Sequence, residues 1–136
     1  MKFLPALAVV VLSMLCLHAQ AADRRGNVLI RGIVGAQKEA ALAARKLLVT
    51  VEAIVDELDA PMNAIVLPHF CVGAIACVPG GAWPSYAQGY YPRDNGFYQA
   101  WDAVARDREL FESWIAVHVR GSRDHGVVRS SLGSLG

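Results

Sequence analysis

Between residues 28 and 78 the chain repeats one arrangement: a short apolar run, then glycine, proline or a stretch that favours helix. Apolar runs of this length suit strands, because a buried helix needs ten or more residues to present its face. Val28-Leu29-Ile30 fits a short strand, and residues 37–48, carrying Ala, Lys, Glu and Leu without Gly or Pro, predict a helix. Residues 47–51 are β-branched enough for the next strand. Residues 52–58 open on acidic side chains, where the helix dipole favours them, and predict a short helix ended by Asp59-Ala60-Pro61. Residues 64–67, stopped by Pro68, and 72–78, stopped by Pro79, read as two more strands. Residues 96–119 predict two helices meeting near Asp107-Arg108, and the Gly/Ser-rich stretch from 121 to 136 predicts a flexible tail. Strands alternating with helices imply an α/β layer arrangement with a mostly parallel sheet and a helical C-terminal segment. A chain of 136 residues suits one such unit.

Composition narrows the partners. Apolar residues make up 54% of the chain and charged ones 18%, enough to build a core. Thirteen basic residues against twelve acidic ones leave a net charge of +1, which gives no electrostatic basis for binding nucleic acid. A small ligand or another protein is the expected partner. Cys16, Cys71 and Cys77 form no CxxC pair, and no Cys/His cluster has zinc-ligand spacing, so no metal is expected. Cys71 and Cys77 sit in an apolar stretch and read as core thiols of a reducing compartment.

The N-terminus has two readings. Lys2, the apolar residues 3–17 broken by Pro5 and Ser13, and then Ala19-Gln20-Ala21 follow the order of a secretory signal, which would make residues 1–21 an export segment. A membrane-spanning helix needs about twenty apolar residues, so no stable span is expected. Alternatively, residues 8–18 contain a strand buried on both faces, since such strands read as unbroken Val/Leu runs. Ala22 to Asn27 then form a polar turn.

The segment most suggestive of function is residues 79–94, where Gly80 and Gly81, three prolines and four aromatic rings make a shaped irregular loop. Loops on an α/β scaffold commonly carry binding residues, and paired glycines allow close backbone approach. Gly80, Gly81, Trp83, Ser85, Tyr86 and Arg93 are the candidates for facing a substrate or a partner. The alternative is that Trp83, Tyr86, Tyr90 and Tyr91 pack against another subunit. Arg93 suits a carboxylate or a phosphate, with a salt bridge to Asp94 or Asp102 as the plainer role. Ser85 lacks a nucleophile elbow, so a Ser-His-Asp triad is not supported. His18, His69, His118 and His125 share no spacing of a metal or acid–base pair. Gly32-Ile33-Val34-Gly35 lacks the lysine and the glycine spacing of a phosphate loop. Glu39, Glu52, Glu57, Glu109 and Glu112 all fall in expected helical segments, where solvated or capping roles are ordinary.

A second line of reading rests on motifs in order. His18-Ala19-Gln20, Ala22-Asp23, Gly26-Asn27, Gly32-Ile33-Val34-Gly35, Gln37-Lys38-Glu39-Ala40 and Val49-Thr50-Val51-Glu52 with Ile54-Val55 are followed by Val78-Pro79-Gly80-Gly81-Ala82-Trp83-Pro84-Ser85-Tyr86 and Gly89-Tyr90-Tyr91-Pro92-Arg93-Asp94. With these the chain resembles the alpha (A) subunits of family I CoA-transferases, in the glutaconate CoA-transferase branch, from His18 to roughly Val119 and over the C-terminal part of the subunit. The resemblance implies a partial parallel-sheet domain over residues 18–120, preceded by residues 1–17 in place of a family strand region. It places the His-Ala-Gln segment at the end of a buried strand, which favours a cytoplasmic protein over an exported one. It implies coenzyme A as substrate, with no further cofactor, and movement of CoA between acyl-CoA and carboxylic acids. In such enzymes a glutamate forms an acyl anhydride and then a glutamyl-CoA thioester, a case of covalent catalysis by a carboxylate. That glutamate belongs to the beta subunit. The expectation is therefore a beta-subunit partner and no catalytic residue in this chain. Ala53, Gly73 and Cys77 stand where the family often carries carboxylates, which leaves a non-catalytic interaction module as an alternative, beside a small exported protein.

Overall fold

A computed structural model describes residues 14–121. By internal contacts the chain divides after Pro79 into two compact units, where its length had suggested one.

The first unit is a five-stranded sheet in the order β4-β2-β1-β3-β5. Its strands are β1 (Leu15–Asp23), β2 (Val28–Ile30), β3 (Leu47–Val55), β4 (Ile65–Leu67) and β5 (Ala74–Cys77), with helix α1 (Gln37–Ala43) between β2 and β3. The sheet is mixed. β1 pairs parallel with β3 from Leu15↔Leu47 to Asp23↔Val55, and β3 pairs parallel with β5. The β1–β2 and β2–β4 pairings are antiparallel. The antiparallel half follows from the turn at residues 24–27, where Gly26 has φ 88° and Asp23 accepts from the Arg25 and Asn27 amides. A reversal this tight returns the chain beside itself, whereas the α1 crossover brings β3 in parallel to β1.

Burial explains why β1 and β3 are long. Ala19, Val28, Leu47, Val49, Val51 and Leu67 are buried to 2% exposure or less, and Ala41 of α1 joins the same cluster. Each of the buried Val and Leu side chains contributes about 1.5–3 kcal/mol relative to an exposed one.

Four sequence expectations change here. Residues 52–58 are not a helix, because β3 continues to Val55 in register with Ala21, Ala22 and Asp23 of β1. Ala22 and Asp23 belong to β1, which shortens the turn. The helix expected over residues 37–48 ends at Ala43, since Leu47 and Leu48 enter β3. Cys71 and Cys77 are not core thiols: Cys77 lies exposed on edge strand β5, Cys71 is half-buried, and Cys16 is exposed on β1. Most of the N-terminal segment 1–17, and nearly all of the tail 121–136, lie outside the described residues.

The second unit starts at Gly80. An irregular loop leads into α2 (Asn95–Arg106) and α3 (Arg108–Ile115), continued by a π-helical turn (Ala116–Arg120). The junction at Asp107 has a local cause: its backbone is extended, φ −113° and ψ 121°, and its carboxylate accepts from the Glu109 and Leu110 amides as the N-cap of α3. Asp94 caps α2 in the same way, accepting from the Phe97 amide at 2.9 Å. No residue of either helix is fully buried.

Candidate functional site

All six candidate residues of the loop lie in the second unit, and the loop holds itself in shape. Gly80 is buried with φ 80°, a left-handed torsion that side chains resist. Trp83 donates from Nε1 to Asp94 Oδ2 at 3.2 Å, and its ring meets Phe97 at 4.8 Å. Asp94 thus accepts at one oxygen from the loop and at the other from α2. The Ala82 amide donates to the Tyr91 hydroxyl at 3.0 Å, the Asp94 amide donates to the Pro84 carbonyl, and buried Ala87 bridges to Tyr91. The peptide bond before Pro84 is cis. Ser85 and Tyr86 are half-buried, as is Gly81.

Arg93 does not take up the salt bridges expected for it. Its guanidinium lies over the Tyr98 ring, 4.0 Å from the centroid. Asp94 is committed to Trp83 and Phe97, and Asp102 pairs with Arg106 at 3.0 Å. Arg93 is exposed, so its guanidinium is accessible to an anionic group. From Trp83 the rings continue through Phe97 to Trp101, stacked at 5.6 Å, and on to Trp114 and His118 at 4.7 and 5.1 Å. On the last helical turns Phe111, Glu112, Ile115 and Arg120 line an open concavity of about 390 Å³, which gathers none of the candidates.

In the first unit the structure assembles a polar group that motif reading passed over. His18 of β1 lies between two residues of β3, with Nε2 2.7 Å from Glu52 Oε1 and Nδ1 2.8 Å from Thr50 Oγ1. The imidazole thus bridges the Glu52 carboxylate and the Thr50 hydroxyl, and that hydroxyl also lies 3.5 Å from the Leu17 carbonyl. The Glu52 side chain is 2% exposed and that of His18 14%. Glu52 is therefore neither solvated nor a helix cap, the roles its surroundings in sequence suggested. Buried Gln20, two residues along the same face of β1, accepts from the Arg31 amide at 2.7 Å. The Cys77 thiol donates to the Glu52 carbonyl at 3.7 Å, tying β5 to the group. Hydroxyl, imidazole and carboxylate in series fix the register of β1 on β3. The signal was present as two residues at neighbouring registers of parallel strands, which becomes visible once β1 and β3 are aligned.

At the hairpin turn, Asp23 is an ordered carboxylate. The Asn27 side chain donates to it at 2.7 Å, and this bond foremost, with the Asn27 and Arg25 amides, holds its carboxyl below the usual carboxylate range. Glu39 and Glu109 sit in the first turns of α1 and α3, and Glu112 pairs with Arg108, as their helical placement implied. Among the described residues no group of three His, Cys, Asp or Glu side chains is arranged to hold a metal ion, and no helix is long and apolar enough to cross a membrane.

No family model matches the chain. It is 59% identical over 116 residues to the A subunit of the 3-oxoadipate CoA-transferase of Pseudomonas knackmussii, an alignment covering 85% of this chain and 41% of the relative. It is 32% identical over 120 residues to the A subunit of the glutaconate CoA-transferase of Acidaminococcus fermentans, covering 87% of this chain and 38% of that protein. The crystal structure of the Acidaminococcus fermentans glutaconate coenzyme A-transferase superposes with a TM-score of 0.78 at 31% identity, over 89% of this chain and 39% of that one. A variant of the decarboxylase AibA/AibB matches with a TM-score of 0.59 at 32% identity, over 76% of this chain and 39% of its own. The chain thus spans about two fifths of the length of the relatives it matches.

Proposed function

Because the chain belongs to the family of CoA-transferase A subunits, of which it covers about two fifths, we propose that it contributes scaffold and part of an active-site wall to an enzyme that moves CoA between carboxylic acids. The observation that carries this reading is the 59% identity to the A subunit of a 3-oxoadipate CoA-transferase over 85% of the chain. The reacting carboxylate comes from a B subunit in this scheme. The glutamates here support that division: Glu52 is sealed against His18, and Glu112 is paired on a helix surface.

The chain's own contribution is then the loop of residues 79–94. Gly80, Trp83, Tyr91 and Asp94 hold its shape. Gly81, Ser85, Tyr86 and Arg93 present the face that meets an acyl-CoA, a carboxylic acid or the B subunit. Arg93, clamped on Tyr98, offers a fixed positive charge for a carboxylate or a CoA phosphate. Coenzyme A is substrate, and no further cofactor takes part. We place the protein in the cytoplasm. Cleavage after Ala21 would remove seven of the nine residues of β1, which pairs with β3 along its whole length.

The test is co-expression with a B subunit of a 3-oxoadipate- or glutaconate-type CoA-transferase, followed by assay of CoA transfer from acetyl-CoA or succinyl-CoA to dicarboxylic acids, with the chain alone as control. Transfer by the pair and not by the chain alone is expected. A stable complex without transfer would leave a non-catalytic interaction module, a reading favoured by Ala53, Gly73 and Cys77 at positions where carboxylates are common in the family. Absence of both complex and activity would end the reading.

A further inference from the structure

The loop of residues 79–94 carries an exposed ring on a closed turn. Tyr90 is 44% exposed, its amide donates to the Ala87 carbonyl at 2.9 Å, Gly89 takes φ 89°, and Ala87 and Tyr91 exchange amide-to-carbonyl bonds at 3.1 Å. Three residues on, exposed Arg93 holds its guanidinium 4.0 Å from the centre of the Tyr98 ring. The chain between them is pinned at both ends, by the Ala87–Tyr91 pair and by the Asp94 amide on the Pro84 carbonyl at 3.0 Å. An exposed aromatic ring and a cation therefore stand on one frame, within the roughly 10 Å that three residues can span. Asp94 commits one carboxylate oxygen to Trp83 and the other to Phe97, and Asp102 is paired with Arg106, so neither neighbouring carboxylate takes the guanidinium.

Exposure decides what these two groups can hold. A carboxylate about to react needs water kept away from it, and an exposed arginine gains little from a single negative charge. A phosphomonoester carries a charge of about −1.5 to −2 and offers three acceptor oxygens. A nucleobase stacks on an aromatic face without a hydrogen-bond pattern to satisfy. Both groups belong to the nucleotide end of coenzyme A, which takes no part in the transfer yet supplies binding energy to the end that does.

We propose that Tyr90 and Arg93 hold the nucleotide end of coenzyme A, the Tyr90 ring against the adenine and the guanidinium on the ribose phosphate, with Tyr98 as the positioning residue that fixes Arg93 on its ring face. The proposal rests on the CoA-transferase reading above, and it assigns Arg93 to the remote end of the substrate rather than to the reacting carboxyl groups.

The experiment titrates the full, isotope-labelled chain with adenosine 3′,5′-bisphosphate and follows its backbone amide and arginine side-chain resonances. Those of Tyr90 and Arg93 should move together and saturate. Adenosine without phosphate, and adipate as a plain dicarboxylate, should each bind about tenfold more weakly or worse. Arg93→Gln and Tyr90→Ala should each weaken the bisphosphate by about fivefold or more, with tryptophan fluorescence retained as evidence that the loop and α2 stand. Tyr98→Leu should weaken it likewise and abolish the ring-current shift of the Arg93 side-chain protons, whereas Tyr98→Phe, which keeps the ring face, should preserve both. Adipate binding as well as the bisphosphate, saturable shifts that bypass Tyr90 and Arg93, no saturable shift at all, or full affinity in Arg93→Gln would each overturn the proposal. CoA transfer with a B subunit at an unchanged KM for the acyl-CoA in Arg93→Gln would also sink it, and would leave the family reading standing. Nucleotide binding at these residues in a chain that supports no transfer would uphold the site and count against the catalytic role instead.

Discussion

The two units are held together by different physics. In the sheet, long parallel strands place Leu47, Val49, Val51 and Ala19 in layers that solvent does not reach, and the stabilisation is mainly aliphatic burial. From Gly80 onward neither helix has a fully buried residue, and order comes from caps, pairs four residues apart and edge-on rings. Such local contacts contribute about 0.3–1.5 kcal/mol each. The sheet should therefore be sensitive to single core deletions, and the helical unit to the loss of a cap. Sequence supplies convenient reporters, because Trp83, Trp101 and Trp114 all lie in the second unit, so tryptophan fluorescence reads that unit.

The largest effect is expected from Leu47→Ala, which empties a position of 1% exposure and should cost about 2–5 kcal/mol, measured by denaturant unfolding with hydrogen exchange in β1 and β3 as the local readout. A loss below about 1 kcal/mol would remove burial as the distinguishing feature of the sheet. Next comes His18→Ala. It deletes the donor to a carboxylate that is 2% exposed, and a hydrogen bond to a charged group is worth about 1.5–3 kcal/mol. Restoring most of that loss with His18→Gln, whose amide can donate to Glu52, would sharpen the case that hydrogen bonding and not ring volume matters there.

How far these features were legible in the sequence differs by element. The Asp107 junction could be read because one residue ends α2 and caps α3, a wholly local signal. β2, β4 and β5 were marked by apolar runs with glycine or proline at their ends. Residues 52–58 read as helix because Glu, Ala and Leu favour it, but β1 offers eight registered partners along β3 and pairing overrides propensity. The loop of residues 79–94 was visible as a shaped element, whereas its inner bonds were not: Arg93 finds Tyr98 and Trp83 finds Asp94 through turns that no periodicity encodes. His18 and Glu52 are 34 residues apart and share no motif spacing. Cys77 was misplaced because an apolar run does not say whether its strand is central or at an edge.

In the helical unit the corresponding probe is Asp94→Ala. It removes the cap of α2 and the acceptor of Trp83 together, at about 0.5–2 kcal/mol for the cap. Tryptophan fluorescence should shift toward that of exposed indole as the loop loosens. Asp94→Asn keeps one acceptor oxygen, enough for the cap or for Trp83 but not for both, and should recover only part of the loss. If Asp94→Ala leaves the fluorescence and its unfolding midpoint unchanged, local capping is not what orders this unit.

The smallest effect separates the hairpin turn from both. Asp23 is held ionised by Asn27 and by the Arg25 and Asn27 amides, so its carboxyl titrates lower in the folded chain than in the unfolded one. A depressed value binds fewer protons when folded, so the contribution is complete above the ordinary carboxylate value of about 4 and is lost as pH falls through the lower folded value. Acidification below about pH 4 should therefore destabilise the wild type more than Asp23→Asn, whose side chain does not titrate. Parallel acid-unfolding curves for the two proteins would show that the turn is fixed by Gly26 and by strand pairing alone, and would move the β1–β2 reversal into the same class as the aliphatic sheet it joins.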